Sequence, residues 1–349
     1  MHKIVYLVSA ILVGALFQAI HVPAGWLLGA LVCGIIWSFS SGKIVFSKRY
    51  FSIILAVVGT NIGFTVVLER FVTYKELIIP LLISILLTII FGLILGRMFQ
   101  KWSGLDENTA FFCCLPGGAS EVIAVSEEYG ADQRIVAAFH TTRITLFVLA
   151  IPFLAGVISD GRNDLPIQTP NISAIGFISV LLCVIVVALL SARIGGYIPF
   201  PGAIIFISIG LGFAAHTFVL PDATMPSVIP GLAQALMGAI LGMRFDRETL
   251  SELLRIGKVS ALTLVIYFGA SILLASLFFT ITSTSFSESM LGIVPAGAAE
   301  MAATALSLNL DSTLVATLQM LRVLCLFAAL PFYIKWFAKK PVRSEVEEG

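Results

Sequence analysis

The sequence predicts an all-α polytopic membrane protein made of two inverted repeats, each with about five transmembrane helices and one re-entrant or broken Pro-Gly segment. Three observations predict it. First, the 349 residues are 58% hydrophobic and only 12% charged. A soluble domain carries about twice that charged share, and a body of this size cannot cover itself with so little polar surface. Second, the chain aligns with itself at an offset of 179 residues. Third, the placement of Lys and Arg is orderly only if each half crosses the membrane an odd number of times.

Internal similarity is the strongest of the three. At the common offset, Gly59 and Gly63 fall on Gly238 and Gly242, and Glu69 falls on Glu248. Pro116, Gly118, Ala119 and Glu121 fall on Pro295, Gly297, Ala298 and Glu300. Asp132, Arg143, Pro152 and Phe153 fall on Asp311, Arg322, Pro331 and Phe332. Apolar bias alone would not align Pro, Glu, Asp and Arg in one register. Upstream the offset shifts to about 176, where Val22-Pro23 meets Ile198-Pro199. The first twenty residues imitate a signal peptide, but their counterpart lies in mid-chain, where no signal is cleaved. The expected divisions are a first repeat at 1–158, an extracytoplasmic linker at 159–171, a second repeat at 172–338 and a cytoplasmic tail at 339–349.

Apolar segments in the first half run near 4–20, 24–40, 51–68, 77–98, 107–130 and 134–158. Their second-half partners are 172–193, 199–216, 229–244, 258–281, 286–308 and 312–337. The fifth of each set is unusual. Pro116-Gly117-Gly118 and Pro295-Ala296-Gly297 stand at its centre, and such residues interrupt a helix. Irregular backbone at membrane depth persists only when protein or a water-filled cavity surrounds it. If the fifth segment enters and returns on one side, each half has five crossings. Lys43, Lys48, Arg49, Arg97, Lys101, Arg134, Arg244, Arg247, Arg255 and Lys258 then share the cytoplasmic side, while Arg70, Lys75 and Arg162 lie outside. Twelve crossings would put the cluster 244–258 outside, against the positive-inside rule. Five plus five makes the repeats inverted, with both termini cytoplasmic in an inner cell membrane. A broken helix that spans is the alternative for the fifth segment.

Charges within hydrocarbon mark function by default. Glu121 and Glu300 follow the two breaks, and Arg143 and Arg322 sit one helix later. In a pseudo-symmetric fold the breaks should meet near the midplane. Each break exposes backbone groups, and the half-helix after it points a positive end there. With Arg as a planar donor fork and Glu as a proton carrier, the pattern suits a small anion. The expected site is Pro116, Gly117, Gly118, Glu121 and Arg143 with Pro295, Gly297, Glu300 and Arg322. Asn61, His140 and Gln319 are candidate supporting residues. The competing reading is a brace, in which each Glu pairs with the Arg of its own half. His140 reads either as a proton relay or as a satisfied interfacial residue. Asp132 and Asp311 read as helix N-caps. The Gly25/Gly29, Gly59/Gly63, Gly92/Gly96 and Gly238/Gly242 spacings suit close helix approach.

Other classes are poorly served. The net charge of +1 is dispersed, which excludes a nucleic-acid surface. Five cysteines without CxxC spacing and four scattered histidines give neither a disulfide framework nor a metal set, so no cofactor is expected. The expected partners are the lipid bilayer and a small solute, with a homo-oligomer left open.

The repeated LPGGASE (115–121) and VPAGAAE (294–300), each followed by an Arg-bearing helix ending in Pro-Phe, resemble the AbrB-type bacterial membrane protein family with its duplicated domain. Residues 23–30 and 241–245 look like that family's motifs as well. The resemblance covers nearly the whole chain. It implies a membrane protein bearing labels of gene-expression regulator or ammonia monooxygenase, with no catalytic residues to transfer. Three functions follow for weighing. They are a secondary transporter, a membrane sensor acting through a partner, and a monooxygenase, for which a His or carboxylate cluster is missing.

Overall fold

The computed structural model describes residues 2–66, 74–159, 174–198, 202–221 and 223–337. Glu69, Arg70, nearly all of the 159–171 linker and the tail from 338 lie outside the described residues, as do the side chains of Glu121 and Trp336. The described chain is all helix.

The first half supplies α1 (His2–Ala19), α2 (Gly25–Ser41), α3 (Lys48–Phe64) and α4 (Ile78–Ser103). Two short helices follow, α5 (Glu107–Cys114) and α6 (Ala119–Glu128), and then the long α7 (Gln133–Ile158). The second half repeats the series as α8 (Ala174–Gly195), α9 (Ala203–Phe218) and α10 (Val228–Gly242). Another short helix, α11 (Arg247–Ile256), whose repeat equivalents fall mostly outside the described residues, comes before α12 (Lys258–Ile281), α13 (Phe286–Ile293), α14 (Ala298–Ser307) and α15 (Ser312–Phe337). Equivalent short helices match in length, at 8 residues for α5 and α13 and 10 for α6 and α14.

Packing is reciprocal between the halves. Helix α2 lies against α10 as α9 lies against α3, and α4 meets its own counterpart α12. The glycine spacings explain the closest of these contacts. A Cβ on Gly63 would come within 2.7 Å of the Phe213 backbone nitrogen, and one on Gly242 within 2.9 Å of Gly34 Cα. A Cβ on Gly29 would meet the Val13 carbonyl at 2.6 Å. Small residues let these backbones touch.

Six helices are long and apolar enough to cross a membrane, and the α10–α11 pair, bent by 51°, makes a seventh if taken as one span. Ten crossings were expected. The shortfall falls on α2, α3, α9 and α10, at 17, 17, 16 and 15 residues. At 1.5 Å per residue these reach about 25 Å, less than a full hydrocarbon core. Positive-φ residues bound two of them: Ala24 (φ 51°) before α2, Gly42 (φ 88°) after it and Gly202 (φ 83°) before α9. These four helices form the glycine-packed interior, while α1 and α8 present outward faces such as Leu12, 64% exposed, and Ile175, 79% exposed. Apolar faces of that size suit lipid rather than water. The chain is a multi-pass membrane protein.

Contacts define two ends. At one end Lys43 bridges Asp246 at 2.6 Å, Lys3 Nζ donates to Val45 O at 3.3 Å, and Arg247 Nε donates to Phe39 O at 2.8 Å. At the other, Tyr74 donates to Asp311 at 2.9 Å and Thr65 meets Ser312 at 3.3 Å.

Candidate functional site

Each Pro-Gly segment is a hairpin whose two arms are the paired short helices. Asp106 caps α5 by accepting from Thr109 N at 2.8 Å, and Ser285 caps α13 in a reciprocal capping box with Glu288. Leu115 and Val294, the residues before the prolines, take extended dihedrals (ψ 126° and 133°) and end the first arms. Gly118 and Gly297 then open the second arms at nearly identical angles, φ −66° and −68°.

The ends of the arms meet. Asn108 donates to Tyr129 O at 2.7 Å and Asp132 N donates to Thr109 Oγ1 at 2.7 Å. In the second half Asp311 N donates to Glu288 Oε1 at 3.1 Å. Each segment therefore enters and leaves at one end of the helix array, and the broken-span alternative is not what the chain adopts. The first mouth adjoins the start of α7 at Asp132. The second reaches the far end of the same helix, where Ser287 donates to Ala155 O at 3.2 Å. Helix α7 has 26 residues, about 39 Å long, so the hairpins open to opposite ends. Asp132 and Asp311 do cap the helices that follow, accepting from Arg134 N at 3.0 Å and from Leu314 N at 3.0 Å.

Where a first arm stops, its last carbonyls lack helical partners. Arg143, 2% exposed, donates to Leu115 O at 3.4 Å, and Arg322, 5% exposed, donates to Val294 O at 2.6 Å and Ile293 O at 3.2 Å. Leu115 and Val294 are equivalent in the repeat. A second equivalence sits beside them. His140 Nε2 meets Phe112 O at 2.9 Å, and Gln319 Nε2 donates to the equivalent Leu291 O at 2.5 Å. Arg143 lies 3.0 Å from His140 Nδ1. An arginine only donates, so Nδ1 accepts and the proton belongs on Nε2, where it reaches the Phe112 carbonyl. In this bonding pattern His140 acts as a carbonyl cap, the task that Gln319 performs without a titratable proton. His140→Gln is therefore expected to keep the fold, with the thermal midpoint in detergent nearly unchanged. His140→Ala, which strands a buried carbonyl, should lower it by the equivalent of about 1–3 kcal/mol.

The two breaks share one cavity of about 250 Å3. Gly117, Gly118 and Arg143 line it from the first half, and Pro295, Gly297, Glu300 and Arg322 from the second. Glu300, 6% exposed, folds back toward the start of α14 and lies against Gly297. Among the described residues neither arginine is ion-paired with it, and the Nε atoms of both arginines have no hydrogen-bond partner. Pro116 stands behind the cavity wall, close against Gly92. Asn61 lies elsewhere, in a separate cavity with Thr65, His216 and Gln234. Sequence reasoning missed Tyr267 of α12. It is buried and its ring receives the Arg143 guanidinium at 4.9 Å. Its repeat equivalent is Thr88, so no duplicated signal pointed to it. No three of His, Cys, Asp and Glu among the described residues are placed to hold a metal ion.

Residues 26–338 match the family described as "Transition state regulatory protein AbrB". The chain belongs to the AbrB family. It is 26% identical over 343 residues to the "Putative regulator AbrB" of Escherichia coli (strain K12), covering 95% of this chain and 96% of that protein. It is also 25% identical over 342 residues to the "Uncharacterized protein YhjN" of Bacillus subtilis (strain 168), covering 92% and 89%. Both matches run nearly end to end, so the hairpins and the helices that cap them fall within the family's shared region.

Proposed function

We propose that the chain is a secondary transporter of a small anion in an inner cell membrane. Its two halves act as inverted repeats with both termini cytoplasmic, and the site lies where the hairpins meet. The observation that carries this reading is the shared cavity. Two buried guanidinium groups and the starts of two half-helices converge on it, with the Glu300 carboxylate the one acidic side chain described there. Helix starts and planar guanidinium forks both favour an anion. Hairpins that open to opposite ends around a fixed site also suit alternating access. Glu300 is the proton-carrying candidate, because it is buried in the cavity and not tied to either arginine.

The sensor reading draws support from the relative named as a regulator. It needs a partner to carry the signal, and a solute site at the midplane serves a sensor as well as a transporter.

The test is reconstitution into proteoliposomes with a panel of chloride, phosphate, sulfate and acetate. One of these anions should stabilise the protein against heat, by about 2.7 kcal/mol at a hundredfold excess over Kd, and should move with or against protons. Glu300→Gln should keep anion binding and lose proton coupling. Stabilisation by cations alone, with no response to any anion, would contradict the reading.

A further inference from the structure

The central cavity has a neighbour at the Lys43–Asp246 end of the molecule. A vestibule of about 450 Å3 lies between the start of α7 and α11. Its charged lining residues are Lys43, Arg134, Arg244, Asp246, Glu248 and Glu252, and two of the three carboxylates have a cation beside them. Lys43 holds Asp246, and Glu252 reaches Arg255 at 3.8 Å. Arg244 differs. It lines the vestibule, and its guanidinium rests 4.9 Å above the Phe51 ring. Phe51 in turn lines the central cavity. Arg244 therefore stands at the wall between the two spaces.

The opposite end is built differently. Its cavity, of about 450 Å3, is lined by Asn61, Thr65, His216 and Gln234, with no Lys or Arg among its described lining residues. Thr65 is the repeat equivalent of Arg244. At this one pair of equivalent positions the repeat places a fixed cation at one end and a neutral hydroxyl at the other.

We propose that Arg244 is an anion-capture subsite, which takes a small anion in the vestibule and passes it to Arg143 and Arg322. The proposal rests on the anion reading of the central cavity and adds a side to it. Anions enter preferentially from the Arg244 end. A guanidinium stacked on an aromatic ring stays charged and leaves its edge free for an anion, and a cation at the mouth of a low-dielectric cleft raises the local anion concentration.

The test uses thiol reagents of opposite charge as probes. Ala298, which lines the central cavity, is changed to Cys, and the parent with its native cysteines gives the background. Modification by a sulfonate-bearing and by a trimethylammonium-bearing methanethiosulfonate is timed in vesicles with the vestibule outward. The sulfonate reagent should react faster. Arg244→Gln should slow it on the order of tenfold and leave the cationic reagent unslowed, while Arg244→Lys should keep most of the preference. If Arg244→Gln does not fold, Arg244→Met carries the test with the same expected outcomes, since it removes the charge and keeps an unbranched chain against Phe51. A sulfonate preference in the parent that survives Arg244→Gln would overturn the capture subsite and leave the anion cavity standing. A preference for the cationic reagent in the parent would overturn the anion reading itself, and the capture subsite with it.

Discussion

Arg322→Met should be among the most damaging single changes in the protein. Arg322 supplies donors to the Ile293, Val294 and Ala296 carbonyls at the second break. Without it the carbonyls of a buried helix end lose a charged donor, at a cost of about 3 kcal/mol or more. Glu300→Gln should shift stability by less than about 1 kcal/mol, because the amide still serves the positive end of α14. The double change of Arg322→Met with Glu300→Leu separates two accounts. If the two side chains were a buried ion pair, joint apolar replacement would restore much of the loss. The carbonyl-capping geometry predicts no rescue, since Glu300 is not what Arg322 satisfies. Thermal unfolding of Arg322→Met, Glu300→Leu and their double in one detergent decides it.

Gly63→Ala and Gly242→Ala should each cost about 1–3 kcal/mol, and both together should loosen the interior further. The atoms that an added methyl would meet are backbone, Phe213 N at 2.7 Å and Gly34 Cα at 2.9 Å, so no side chain can turn aside. Gly269→Ala is the internal control. A Cβ there meets nothing within 4 Å, and alanine is the better helix former by about 1 kcal/mol. A thermal midpoint that falls for the first two and holds or rises for the third is the expected pattern.

The repeat was legible because rare residue types align, and that alignment placed both breaks, both arginines and both helix caps. The arginines' partners were not legible. Buried charges of opposite sign at regular spacing invite a pairing with Glu, whereas the breaks create carbonyls that need the same donors. His140 and Gln319 occupy one register, but their different chemistry hid a shared task until the bonds to Phe112 and Leu291 were seen. Asn61 was misplaced because distance along α3 does not say which cavity a face lines. Tyr267 and Arg244 left no trace in the repeat, since Thr88 and Thr65 stand in the equivalent positions.

The most direct test of the account joins the two hairpin tips. Ala119 and Ala298 are equivalent residues 179 positions apart that line the same cavity. With both changed to Cys, a short bifunctional thiol reagent should link them in the membrane. Cleavage within the 160–173 segment should then release no free half under conditions that keep the link. Separation of the halves, with each cysteine reacting singly but never linked, would contradict a shared site between the hairpins.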